Sequence, residues 1–242
     1  MIDWIQEKKQ KYLHGLDRQP TIILLGSALI LTLHRYYTQR AIFRRYFGRH
    51  FIRHPLRKIF PYHYSFLAST MTLLLLPILV VKFGVRGKIR DYGFRLTHRK
   101  LGWGFVFGGW MLMIPLIIMA LQLFPAFQQK YPLSKVATTS WRVFILYEIS
   151  YGVYMFSWEF FFRGFMLFGL EKRFGNYSLL IQTIPFAALH NRKPITEAMG
   201  SIVAGLLLGV VALETRSFIY GAAIHWFVAM TMDFLALAWR LA

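Results

Sequence analysis

Long apolar stretches recur along this chain and constrain it more than any other feature, because about 20 uncharged apolar residues suffice for a helix to cross a bilayer. Such stretches fall at residues 62–81, 102–124, 141–168, 177–190, 197–213 and 217–239. A shorter one, 22–33, reaches spanning length only by taking in Tyr36 and Tyr37. Hydrophobic residues make up 56% of the 242 and charged residues 16%, more apolar surface than one water-soluble domain buries. The surplus must face lipid. The expected fold is therefore all-α, a polytopic transmembrane helix bundle of about seven spans, with residues 1–61 as an N-terminal basic region and 62–242 as the bundle.

Charge follows the same pattern. The formal net charge is +19, yet the basic residues lie between apolar stretches, where anionic lipid head groups meet them. Membrane lipids are the expected partners and nucleic acid is not. In the basic segment 35–58, Phe43, Phe47 and Phe51 form one helical row and Arg45, Arg49 and Arg53 a nearly opposite one, the pattern of an amphipathic helix lying in the interface. Basic residues divide about evenly between the two sides, so the positive-inside rule assigns no orientation. The first apolar stretch runs into His34-Arg35 instead of a small-residue cleavage site, and is expected to be retained. No cysteine is present, which removes disulfides, thiolate catalysis and cysteine metal sites.

Chemistry is carried by the ionisable residues inside apolar stretches, each costing about 2.5–3.5 kcal/mol on insertion scales unless paired or hydrated. Glu159 and Arg163 stand one helical turn apart, acid first, the favourable order for an ion pair. His190 ends the next apolar stretch and His225 lies in the last. A carboxylate and two imidazoles brought together by bundle packing are suited to activating water. Ser201, Gly205 and Gly209 form a small-residue row that lets a neighbouring helix approach closely, and Glu197 continues it. Asp233, some two turns beyond His225, is placed to orient it, while Glu148 is given a structural role. Each residue also has a structural reading: a register-fixing ion pair for Glu159 and Arg163, an interfacial helix end for His190, a satisfied core histidine for His225, a helix-start carboxylate for Glu197. Glu159, His190 and His225 are also of zinc-ligand type, although no H-E-x-x-H helix is present.

These residues resemble the CPBP (abortive-infection) family of intramembrane endopeptidases, which includes the CAAX prenyl proteases. That family shows E-E-x-x-x-R, F-x-x-x-H and H-x-x-x-N on successive helices. The counterparts are Trp158-Glu159 to Arg163, Phe186 to His190, and His225 to Ala229, within residues 141–242. The resemblance implies an integral membrane protein, in a bacterial cytoplasmic membrane, that cleaves peptide bonds of membrane-associated substrates with a Glu/His-activated water and no cofactor. Its catalytic set would be Glu159, Arg163, His190 and His225, with Glu197 and Asp233 in support. Two positions depart: Trp158 stands where the family has the first Glu, and Ala229 where it has Asn. Three readings follow. Glu159 is the base in a shifted geometry, Glu197 supplies the carboxylate, or the site is inactive and the protein binds or scaffolds a partner.

Overall fold

The computed structural model describes residues 1–241, and among them every regular element is helical. In chain order these are α1 (Ile2–Leu13), α2 (Arg18–Tyr37), α3 (Arg40–Tyr46), α4 (Phe60–Val85), α5 (Arg99–Leu123), α6 (Pro125–Lys130), α7 (Trp141–Glu159), α8 (Gly169–Phe174), α9 (Tyr177–Leu189), α10 (Ile195–Thr215) and α11 (Ile219–Leu241). A π-helical run, Phe160–Phe168, joins α7 to α8 without a break.

Four helices among the described residues, α4, α5, α10 and α11, are long and apolar enough to cross a membrane. A fifth span arises if α1 and α2, bent by 101°, count as one. The expectation of about seven exceeds this for physical reasons. Stretch 141–168 carries Glu148, Glu159 and Arg163, which lower its hydropathy. The 13-residue α9 rises only about 20 Å, short of a hydrocarbon core about 30 Å thick.

The amphipathic segment also differs from expectation. In place of one continuous helix, α3 has seven residues and gives way near Gly48 to a 3₁₀ turn, Gly48–Phe51. The phenyl row nevertheless forms, with Phe43 5.8 Å from Phe47 and 5.6 Å from Phe51 between ring centres. It docks partly on protein, Phe43 against Tyr64 and Phe51 against Phe60.

At the centre runs the α7–α8 rod. Residues 157–170 are buried without interruption, an all-round apolar environment that a helix has only when enclosed by others. The enclosing elements are α2, α4, α9, α10 and α11. The row Ser201, Gly205, Gly209 lets α10 lie against α9: a Cβ at Gly205 would come within 2.8 Å of the Thr183 methyl, and one at Gly209 within 2.5 Å of Leu179. This close seam brings His190, at the end of α9, toward the rod.

Candidate active site

Glu159 is the last α-helical residue before the π-helical run that carries Arg163. Wider turns of that kind recur at functional sites, and the fully buried pair is joined by a bond of 3.0 Å from Arg163 Nη1 to Glu159 Oε1. Arg163 Nη2 donates to the Gly205 carbonyl at 3.3 Å, an approach that the missing side chain at 205 permits. The guanidinium also lies 4.1 Å from the Phe186 ring centre, over the face where a cation is favoured.

The same carboxylate oxygen meets His225, with Nδ1 to Oε1 at 2.8 Å. An acceptor at that distance fixes the tautomer, so His225 carries its proton on Nδ1 and, when neutral, a lone pair on Nε2. His190 is fixed likewise, because Nδ1 lies 2.8 Å from the Phe186 carbonyl oxygen, which can only accept. Its Nε2 is again the free nitrogen. Both rings are partly exposed, while Glu159 is fully enclosed and its Oε2 has no hydrogen-bond partner. Phe186 holds the group together, 4.7 Å from the His190 ring and 6.2 Å from that of His225.

Adjacent positions point different ways on a helix, and that decides the role of residue 158. Trp158, not Glu159, faces His190: the rings meet edge to face with centres 5.8 Å apart. The indole fills the space a side chain at this position directs toward His190, packing also on Phe162 and Phe186. Glu159 turns instead to Arg163 and His225.

The remaining sequence candidates lie elsewhere. Glu197, at the start of α10, accepts from the Tyr131 hydroxyl at 2.7 and 2.9 Å and pairs with Lys193 at 3.0 Å. Burial, and then the charge of Glu197, hold the Tyr131 phenol well above its ordinary pKa, so it stays a donor. Lys193 also reaches the Tyr131 hydroxyl. Asp233 does not orient His225, whose Nδ1 is taken by Glu159; it is buried among Tyr147 and Glu148. Among the described residues no three His, Asp or Glu side chains are grouped to hold a metal ion.

Two contributors escaped the sequence reading. Gln182 is fully buried and donates to the Gly205 carbonyl at 2.9 Å, the same oxygen that receives Arg163. Tyr131 holds Glu197. The signal for Gln182 was present, since Gln182, Phe186 and His190 form an i, i+4, i+8 row on α9. Tyr131 lies in a connecting segment, where periodicity gives no guidance.

Membrane-spanning helices enclosing a carboxylate, an arginine and two histidines define an integral membrane protein with an ionisable core. Residues 139–231, the segment holding all four, match the family model described as Type II CAAX prenyl endopeptidase Rce1-like. That segment, less than half of the chain, is similar to the CAAX protease-like family. No curated protein and no solved structure matches the chain.

Proposed function

We propose that the protein is a membrane-embedded endopeptidase in which Glu159, His225 and His190 activate a water for attack on a peptide bond of a membrane-associated substrate. The observation that carries this reading is the 2.8 Å contact between His225 Nδ1 and Glu159 Oε1. A buried carboxylate on one imidazole nitrogen orients the ring and stabilises the imidazolium, which makes the other nitrogen a better base. Arg163 is the counter-ion that this carboxylate needs in an enclosed setting. A water can give one hydrogen to His225 Nε2 and the other to His190 Nε2. His225 then takes the proton as the oxygen attacks the carbonyl carbon, and returns it to the leaving amine. Peptide or protein substrates follow from the family match; the bacterial cytoplasmic membrane is proposed on the resemblance alone.

The second reading is a family member that binds a partner without cleaving it. Trp158 facing His190 favours it, because an indole occupies that side of the imidazole and, among the described residues, no carboxylate is hydrogen-bonded to it. Processing of candidate membrane substrates in cells, at matched protein levels, separates the two. Glu159→Gln, His225→Ala and His190→Ala are each expected to reduce cleavage about 10²–10⁴-fold, the range for removing a positioned acid–base group. Equal processing by wild type and all three variants would reject the hydrolase reading and leave the binding one.

A further inference from the structure

One recess next to this site has a composition of its own. A cavity of about 360 Å³ lies where α2 ends, α3 begins and the segment after His190 passes, and it is lined by Arg40, Arg44 and Arg192 with Thr38, Ser65 and Ser69 as hydroxyl-bearing neighbours. No carboxylate lines it, and none of the three arginines has an ion-pair partner among the described residues. Its size falls within the range of small-molecule sites, about 300–1,000 Å³. Tyr154, in its wall, packs on Trp158, which also meets His190, so one indole touches both the wall of the recess and the site.

The surroundings add to the excess of positive charge. Lys130 donates to the Arg192 carbonyl, and its ammonium is disfavoured by burial and then by the charges of Lys193, Arg40 and Arg192. Glu197 opposes this, but Tyr131 and Lys193 already engage it. Repulsion among clustered cations is relieved by an anion, and arginine matches phosphate oxygens in geometry as well as charge.

We infer that this recess binds a phosphate group, that of an anionic phospholipid or free phosphate, between Arg40, Arg44 and Arg192. Position favours the lipid source. The recess sits at the ends of membrane helices beside exposed Tyr36, Tyr37 and Tyr46, the residue type that marks head-group depth. Arg44 also lines an adjoining cavity of about 470 Å³ whose walls combine Phe43, Phe51, Pro61 and Tyr62 with the basic Arg57, Lys58 and Lys135. A cationic recess beside a cavity with both aromatic and basic walls suits an anionic amphiphile better than a wholly soluble ligand. The inference holds whether or not the Glu159–His225 pair hydrolyses anything.

The test uses the full chain purified in a neutral detergent and titrated, with thermal stability and native mass spectrometry as readouts. The probes are dioctanoyl phosphatidylglycerol, dioctanoyl phosphatidylcholine, inorganic phosphate, and a short peptide as free acid or amide. Phosphatidylglycerol is expected to bind roughly 10-fold more tightly than phosphatidylcholine, whose choline the arginines repel, with Arg44→Ala or Arg192→Ala abolishing the preference. Arg49→Ala, outside the recess, is the control and should retain it. Inorganic phosphate binding as tightly as the lipid, with the same variant dependence, would support the site and make free phosphate the source. Equal binding of the two lipids, a preference indifferent to both recess variants, or a response to peptide acid without one to phosphatidylglycerol would each overturn the inference.

Discussion

At one end of the bundle the loops are bonded shut, and at the other, though bonded in part, they leave two cavities between them. Around α8 and the start of α11, Arg95 donates to the Arg216 carbonyl, Thr97 to the Thr215 carbonyl and Tyr220 to the Thr97 carbonyl, while Arg216 pairs with Glu171 at 2.6 Å. Glycines there admit rings against backbone: a Cβ at Gly93, where φ is +82°, would come within 2.6 Å of Phe168. Around His190, by contrast, two cavities open, and Arg40, Arg44 and Arg192 are left without carboxylate partners among the described residues. The chain carries basic residues at both ends, so charge alone does not make the difference. What differs is that Arg95 and Arg216 are bonded to a carbonyl or an acid, whereas Arg40, Arg44 and Arg192 have no ion pair among the described residues. The sealed end holds the rod in place, which allows the other end to stay open beside the site.

The rod itself provides the largest expected effect. Glu159 and Arg163 are fully buried, and removing Arg163 leaves the Glu159 carboxylate with only the His225 imidazole beside it. Arg163→Met is expected to cost about 3–5 kcal/mol, seen as loss of folded protein in detergent. The double variant Glu159→Gln, Arg163→Met should recover much of that loss, since an apolar side chain beside an amide removes both buried charges. Recovery would sharpen the contrast by showing the pair to be dispensable for folding, hence retained for the site. A double variant as unstable as the single one would make the pair part of the scaffold.

The sealed end is tested by a pair of glycines on α5. A Cβ at Gly102 would overlap the Tyr220 ring, whereas one at Gly104 meets nothing within 4 Å. Gly102→Val should cost about 1–3 kcal/mol by overpacking, and Gly104→Val far less, in thermal melts of the purified protein. Equal effects would mean that the α5–α11 contact is not tightly packed at this end.

Much of this arrangement was legible in the sequence, and the part that was not has a common cause. All-helical architecture and the apolar helices followed from hydropathy, and the pairing of Glu159 with Arg163 from spacing within one helix. The span count of seven is not confirmed: four or five helices are long and apolar enough to cross, and stretch 141–168 falls short because of the charged residues that its burial in the bundle accommodates. Which imidazole meets Glu159 was equally hidden. The choice depends on how the rod is rotated against α9 and α11, and rotation is set by tertiary packing of residues such as Phe186 and Gly205. Asp233 shows the same limit: two turns on one helix suggested a partner for His225, while packing against α7 buried it beside Glu148.

Tyr92 gives the smallest expected effect and the most direct probe of how well the first end is sealed. It lies in the connection between α4 and α5, outside the spans, with its ring 4% exposed and its hydroxyl buried without a partner. Burial, and then the neighbouring Asp91 carboxylate, push its pKa up to about 12, against 10 for a free phenol. A phenol whose pKa is raised on folding is as stable as it will be below pH 10, where both states are protonated. Between 10 and 12 the unfolded chain ionises while the folded one does not, so stability falls as pH rises through that window. At pH 11 the two states differ by a factor of about ten, so the loss there is about 1.4 kcal/mol. Every tyrosine of the unfolded chain ionises in this window, so the informative quantity is the difference between wild type and Tyr92→Phe across it. The variant should lose less stability from pH 9 to 11, and at pH 9 it should match or slightly exceed the wild type, having no hydroxyl to bury. Identical pH dependence in the two proteins would mean that water reaches Tyr92 and that the loops at this end are not closed, which would remove the basis of the contrast with the end around His190.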